Sequence, residues 1–301
     1  MLPLLVVITG PTAVGKTALC VELAKHFNTE IISADSRQFY RELSIGTAKP
    51  SPEEMQGVPH HFIDHLSISD TYTVNDFEQE AIRLIQRRFE DQNILILTGG
   101  SGLFIDALCH GFDEDLPAGD DTIRNELEAL YEKYGITILQ EKLKQLDPYF
   151  YQEIDLDNVK RLYRAIEVCL LSDKPYSEIR KGERQKRPFK ILKIVLNRDR
   201  EELYGRINQR VDLMIEQGLE KEVRGVLPYR DKNALKTVGY RELFDYFDGR
   251  CSFGDAVEKI KVNSRRYAKK QLTWFKKDED YHWYHPDQKE DLIQLISFNI
   301  N

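Results

Sequence analysis

Gly10-Pro11-Thr12-Ala13-Val14-Gly15-Lys16-Thr17 fits G-x-x-x-x-G-K-[ST], the loop whose backbone N–H groups cradle phosphates. The flanks are those the motif needs. Leu4–Thr9 is a continuous apolar run, as expected of a buried parallel strand. Ala18–Lys25 reads as a helix opening directly from the loop, which sets a positive helix N-terminus under a polyphosphate. Lys16 is expected to reach the terminal phosphates, and the Thr17 hydroxyl to ligate Mg²⁺. The ligand therefore carries a di- or triphosphate.

The chain has 301 residues, 41% hydrophobic and 31% charged, the proportions of an ordinary globular protein. Its formal charge of −7 argues weakly against nucleic acid, but the distribution of charge matters more than the sum. Cys20, Cys109, Cys169 and Cys251 are scattered without a C-x-x-C, which predicts reduced thiols in a cytoplasmic protein and no zinc site. No apolar run reaches 18 residues, so no spanning helix is expected. The first strand begins at Leu4, so no signal peptide is expected.

Glu30–Ala34 reads as a second strand, ending in Asp35-Ser36-Arg37-Gln38. Ligands of open α/β sheets sit outside the carboxyl ends of the strands, so Asp35 and the phosphate loop should share one edge. As a turn or cap residue, Asp35 would be merely structural. Pro59–His65 resembles a short strand, and its alternating histidines lack a third metal ligand. Thr73 can cap a helix from Val74 to about Phe89, with Phe77, Ala81, Leu84 and Ile85 on one face. Asn93–Thr98 is the next buried strand. It runs into Gly99-Gly100-Ser101-Gly102, a second glycine-rich turn on the same edge. No Asp follows that strand, whereas an ATPase or GTPase would use one to hold Mg²⁺.

The strand–helix rhythm stops after Gly111. Segments 120–134, 137–146 and 158–171 read as amphipathic helices of an insertion spanning 113–187, leaving 1–112 and 188–301 as the core. The acidic group Asp113, Glu114, Asp115, Asp120 and Asp121 reads as a solvated linker and helix N-terminus. Strand rhythm resumes at Lys190–Leu196. The helix after it carries Arg206 and Arg210, four apart and so on one face, suited to neutralising a leaving diphosphate. A final helix, about 253–277, mixes Lys269, Lys270, Lys276 and Lys277 with Tyr267, Trp274 and Phe275. That composition fits either a nucleic-acid surface or a helix docking its aromatics on the core.

Taken in order, these pieces resemble the bacterial tRNA dimethylallyltransferases. The resemblance covers nearly the whole chain. It rests on GPTAVGKT at 10–17, DSRQ at 35–38, IGTAKP at 45–50 and GGSGLF at 99–104. It continues through RVDLM at 210–214, GL-EV at 218–223, VGYRE at 238–242 and KKQLTW at 269–274. Ser101 stands where the family usually has Thr, and Asn158-Val159-Lys160-Arg161 where many members have Pro-Gln-Arg. The fold implied is a P-loop, nucleotide-kinase-like α/β core with a helical insertion and a helical C-terminal region.

The reaction implied moves a dimethylallyl group from dimethylallyl diphosphate to N6 of the adenine 3′ to the anticodon. Lys16, Thr17 and Arg210 would stabilise the leaving diphosphate with Mg²⁺, and Asp35 would accept the amine proton. The resemblance also implies tRNA contacts by Asp35, Ser36, Arg37, Gln38, Ser101, Arg124, Lys160, Arg161, Gly239, Tyr240, Arg241, Lys269, Lys270 and Gln271. The target base must leave its stack to reach such a site. The partners expected are the tRNA anticodon stem-loop and the prenyl donor, with no membrane, in a cytoplasmic monomer. Two small-molecule alternatives stay open: an adenylate isopentenyltransferase and a nucleotide kinase. A non-catalytic RNA-binding protein is disfavoured by the intact Lys16, Thr17 and Asp35.

Overall fold

All six residues of Leu4–Thr9 (β1) are buried. A strand apolar on both faces needs a layer of helices on each side, and the chain supplies them. The computed structural model describes residues 2–111, 116–117, 119–180 and 185–300. After β1 come Lys16–Phe27 (α1), Ile31–Ser33 (β2), Pro52–Met55 (α2), His60–His61 (β3), Val74–Arg88 (α3), Ile94–Gly99 (β4) and Gly102–His110 (α4). Five helices follow: Asp121–Tyr134 (α5), Ile136–Leu146 (α6), Pro148–Glu153 (α7), Val159–Ser172 (α8) and Tyr176–Ile179 (α9). The chain then forms Lys190–Leu196 (β5), Arg200–Glu216 (α10), Leu219–Gly225 (α11), Tyr240–Phe247 (α12), Phe253–Phe275 (α13), His282–Tyr284 (β6) and Lys289–Ile300 (α14).

The strands form one sheet in the order β3-β2-β4-β1-β5-β6, every pairing parallel. Register brings the carboxyl ends of three strands together: Thr9 pairs with Gly99 and with Val195. Ser33 pairs with Thr98. Alternate residues of β1 serve opposite layers. Leu5 and Val7 pack with Phe77 and Ile85 of α3, Leu108 of α4 and Phe275 of α13. Leu4, Val6 and Ile8 pack with Leu19 and Leu23 of α1, Ile207 of α10 and Leu292 of α14.

The helix from Val74 starts as its sequence predicts: Thr73 accepts from the Asp76 N–H and Asp76 accepts from the Thr73 N–H. The 59–65 strand is shorter than expected. Phe62 (φ 61°) and Asp64 (φ 56°) turn left-handed and end it after two residues. The edge strand β6 carries no expectation from sequence. Three residues between charged loops give too little alternation to read.

By internal packing the chain divides into Met1–His110 with Lys186–Asn301, and Gly111–Gln185. The second unit has its own core of Leu127, Leu139, Leu143, Leu162 and Ile166. Asp120 and Asn158 cap α5 and α8. The short helices α7 and α9 are additions to the three read from sequence. Asp113, Glu114 and Asp115 lie outside the described residues. No described helix is long and apolar enough to cross a membrane, and all four cysteines are free, three of them buried.

Candidate active site

The phosphate loop turns its carbonyl oxygens outward onto cations. Lys16 Nζ donates to Gly10 O and Pro11 O, both at 2.9 Å. Arg206 Nε donates to Ala13 O at 2.9 Å, and Arg198 Nε to Val14 O at 2.9 Å. Arg210 Nη1 donates to Thr12 Oγ1 at 3.2 Å. With carbonyls held on that side, the first turn of α1 offers N–H groups to a ligand. Unlike α3 and α13, α1 begins at Gly15 with no side-chain cap and no acidic residue in its first turn. Uncapped N–H groups and a positive helix end make an anion site. Glycine is required at Gly10: φ is 145°, and a Cβ there would stand 2.4 Å from Leu196 O.

Asp35 follows β2 on the same sheet edge. Its Oδ1 accepts from the Arg37 N–H at 3.0 Å, which tightens the turn. Ser101, in the turn after β4, accepts from the Ser36 N–H at 3.2 Å and lies 3.2 Å from the Ser36 hydroxyl. The two turns are thus tied to each other. Asp35 also lies in the field of the phosphate-loop cations. Burial pushes the Lys16 ammonium down to about 8; the Asp35 charge pulls it back up and Arg210 pushes it lower. Arg210 is likewise lowered by burial first, with Asp35 opposing. One carboxylate, one ammonium and one guanidinium therefore share a confined space. An anionic ligand at this edge would meet two cations with a carboxylate nearby.

Several residues expected at an RNA surface lie elsewhere. Tyr240 is fully buried, and its hydroxyl donates to Glu222 Oε1 at 2.6 Å. Gln271 is also buried. Its Oε1 accepts from the Thr12 N–H at 3.0 Å and its Nε2 donates to Gly100 O at 2.9 Å, so it bridges the two glycine-rich turns. Both are corrections: an aromatic or amide amid basic residues reads as surface until the packing is known. Trp274 and Phe275 dock on the core, Trp274 Nε1 donating to Asp106 at 2.8 Å. Gly239 caps α12 with its N–H on Glu242 at 2.8 Å. Arg241, Lys269 and Lys270 are exposed. Within the insertion, Arg124 pairs with buried Glu167 at 2.8 Å, while Lys160 and Arg161 stand exposed in the first turn of α8.

Two site features escape the sequence. Arg198 holds a phosphate-loop carbonyl, yet in sequence it is one arginine among many. Tyr267 keeps 43% of its surface exposed. Its hydroxyl is withdrawn toward Ser101 and pushed up to about 12, first by loss of water and then by the Asp35 charge. Of the histidines at 60–65, His61 Nε2 lies 2.6 Å from Glu30 and His60 Nδ1 lies 2.8 Å from Val58 O.

A parallel sheet feeding a phosphate loop, with a carboxylate and a second glycine-rich turn on the same edge, defines a P-loop transferase core. The chain belongs to the IPP transferase family, whose family model matches residues 38–278. It is 48% identical to tRNA dimethylallyltransferase 1 of Bacteroides thetaiotaomicron, covering 98% of this chain and 96% of that one. It is 49% identical to the tRNA dimethylallyltransferase of Flavobacterium johnsoniae, covering 98% of each. Among solved structures it matches the tRNA isopentenylpyrophosphate transferase of Bacillus halodurans with a TM-score of 0.74 at 39% identity, over 98% of this chain and 96% of that one. It matches a eukaryotic dimethylallyltransferase acting on tRNA with a TM-score of 0.79 at 25% identity, over 94% and 74%.

Proposed function

We propose that this chain transfers a dimethylallyl group from dimethylallyl diphosphate to N6 of the adenine 3′ to the anticodon of tRNA, releasing diphosphate. The observation that carries the reading is that Asp35, just past the end of β2, shares one sheet edge with the loop on which Lys16 (to Gly10 O and Pro11 O) and Arg210 (to Thr12 Oγ1) converge. The N6 lone pair attacks the allylic carbon. The carbon–oxygen bond breaks, its electron pair leaves on the diphosphate, and the N6 proton passes to Asp35. That amine is a weak nucleophile because its lone pair is delocalised into the ring, so base assistance matters. Gly10–Thr17, Lys16 and Arg210 hold the diphosphate and stabilise its growing charge.

The donor set fits Mg²⁺. That ion takes one or two protein oxygens and fills its remaining positions with substrate phosphate and water. Thr17, the residue after Lys16 in the first turn of α1, would supply the protein oxygen. When bound, the ion would neutralise the diphosphate. The protein is read as a cytoplasmic monomer, where its tRNA substrate is found.

Incubation of the protein with tRNA and dimethylallyl diphosphate, followed by nucleoside analysis, tests the reading. Appearance of N6-prenylated adenosine is expected, with little ATP turnover. ATP hydrolysis without prenylated tRNA would favour a kinase, and prenylation of free AMP but not tRNA an adenylate isopentenyltransferase.

Lys16 sets a pH dependence. Only its protonated form pairs with the diphosphate. In the free enzyme it is half deprotonated near pH 8, so donor affinity weakens as pH rises through that value. kcat/KM for the donor is expected to be level below about pH 8 and to fall tenfold per unit above it. Lys16→Arg keeps a charge that does not titrate there, and its profile should stay level at whatever activity remains.

The exposed cations of α13 and α8 are assigned to tRNA phosphate. Lys160 and Arg161 lie in the first turn of a helix, where its dipole disfavours cations, a cost that a bound phosphate relieves. Lys269→Ala with Lys270→Ala should lower the slope of log Kd for tRNA against log salt by about 1 to 2, with donor binding unchanged. An unaltered slope would show that α13 does not touch phosphate.

A further inference from the structure

Three of the motifs meet on one carboxylate. Glu222, from GL-EV, accepts from three consecutive backbone N–H groups of the loop containing IGTAKP. Oε2 takes Ser44 at 3.0 Å and Ile45 at 2.8 Å, and Oε1 takes Gly46 at 3.0 Å. The hydroxyl of Tyr240, from VGYRE, donates to the same Oε1 at 2.6 Å. Successive N–H groups aimed at one point form a cradle for an anion, and here the anion is a side chain of the same protein. Gly46 lets the loop come this close: a Cβ there would stand 2.6 Å from the Tyr240 ring.

The loop so held passes its orientation on. Gln38 Nε2 donates to Thr47 O and Ala48 O, each at 3.2 Å. Carbonyl oxygens only accept, so the amide nitrogen must face them and the amide oxygen must face away. Gln38 Oε1 accepts from the Ser33 hydroxyl at 3.4 Å with one of its two lone pairs, and that hydroxyl accepts from the Asp35 N–H at 3.4 Å. The acceptor end of Gln38 is therefore turned toward the strand end that carries Asp35.

We propose that Glu222 is a positioning residue: by clamping residues 44–46 it fixes the Gln38 amide with its oxygen toward the substrate, as an acceptor for an N–H of the target base. The proposal rests on the tRNA prenyl transfer argued above. The plainer alternative is that Glu222 only staples α11 to a loop, in which case it affects stability alone.

A double-mutant cycle separates the two, because residues that act through each other are not additive. kcat/KM for tRNA and KM for dimethylallyl diphosphate are measured for wild type, Glu222→Gln, Gln38→Leu and the double variant, with thermal unfolding of each. Glu222→Gln places an amide N–H against backbone donors and is expected to lower kcat/KM for tRNA about tenfold, the worth of one hydrogen bond to a charged group. Gln38→Leu should cost at least as much, and the double variant no more than Gln38→Leu alone. KM for the donor should stay level. Multiplied losses in the double variant, or a lowered Tm with normal kinetics, would overturn the proposal. If Glu222→Gln does not fold, Tyr240→Phe removes one of the four donors and runs the same cycle. An inactive wild type overturns the prenyl-transfer reading itself; an active one with an additive cycle overturns this proposal alone.

Discussion

Lys16→Met should lower kcat about 10²–10³-fold, the usual cost of losing one donor aimed at developing charge. Methionine keeps the length and apolar stem of lysine and removes only the ammonium. In the structure that ammonium rests on Gly10 O and Pro11 O, at the head of the helix that would receive a diphosphate. If those two bonds were its purpose, the substitution would loosen the loop and lower stability while chemistry survived. The burial of the ammonium argues the other way. Burial holds Lys16 at about 8 in the folded protein, against 10.5 for an ordinary lysine. Between those values the unfolded chain binds more protons than the folded one, so this group's contribution to stability rises with pH from about 8 to 10.5. At neutral pH the charged ammonium therefore opposes folding, an expense kept for an anionic ligand. Lys16→Met is expected to hold Tm within about 4 °C of wild type, the loss of two hydrogen bonds offset by the relief of a buried charge. Calorimetry beside single-turnover kinetics checks both halves. A large fall in Tm with little change in kcat would make Lys16 a structural residue.

What the sequence revealed was local. The phosphate loop, its strand and its helix lie within 27 residues, and each confirms the others. Arg206 and Arg210 could be placed on one face because helical spacing alone decides that, and both reach the loop. Strand ends could be gathered at one edge because parallel register leaves no other arrangement.

What stayed hidden depends on contacts between distant parts of the chain. Gln271 meets Thr12 across 259 residues, and nothing around Gln271 distinguishes a buried amide from a surface one. Glu222 and Tyr240 look like a solvated acid and a surface aromatic until Gly46 brings the loop onto them. The final helix shows both outcomes. Its composition fits an RNA surface and a core-docking face equally; in the structure Trp274 and Phe275 turn onto the core, while Lys269 and Lys270 face outward. Periodicity assigns faces to a helix but not the partner each face meets.

Asp35→Asn should reduce kcat on tRNA about 10²–10⁴-fold, the usual range for general-base assistance. Asparagine keeps the shape and one accepting oxygen, so the bond from the Arg37 N–H to Asp35 Oδ1 survives. What it cannot do is take a proton from the adenine amine. Two rival roles give different results. If Asp35 only shapes the turn, asparagine serves as well, since the two are matched as turn and cap residues worth about 1 kcal/mol. The variant would then be nearly silent in rate and stability. If Asp35 holds Mg²⁺, directly or through water, the variant should lose donor affinity and recover as Mg²⁺ is raised. A general base predicts neither: affinities for donor and tRNA stay within a few-fold while the chemical step slows at every Mg²⁺ concentration. Removing this carboxylate also leaves Lys16 and Arg210 without the charge that opposes their loss of protons. The fall in donor kcat/KM should therefore begin at lower pH in Asp35→Asn than in wild type. Single-turnover rates at saturating tRNA and donor, taken across Mg²⁺ and pH, distinguish the three roles. A near-normal single-turnover rate would remove Asp35 from the chemistry and leave Ser101 and Tyr267 as the neighbouring hydroxyls to test next.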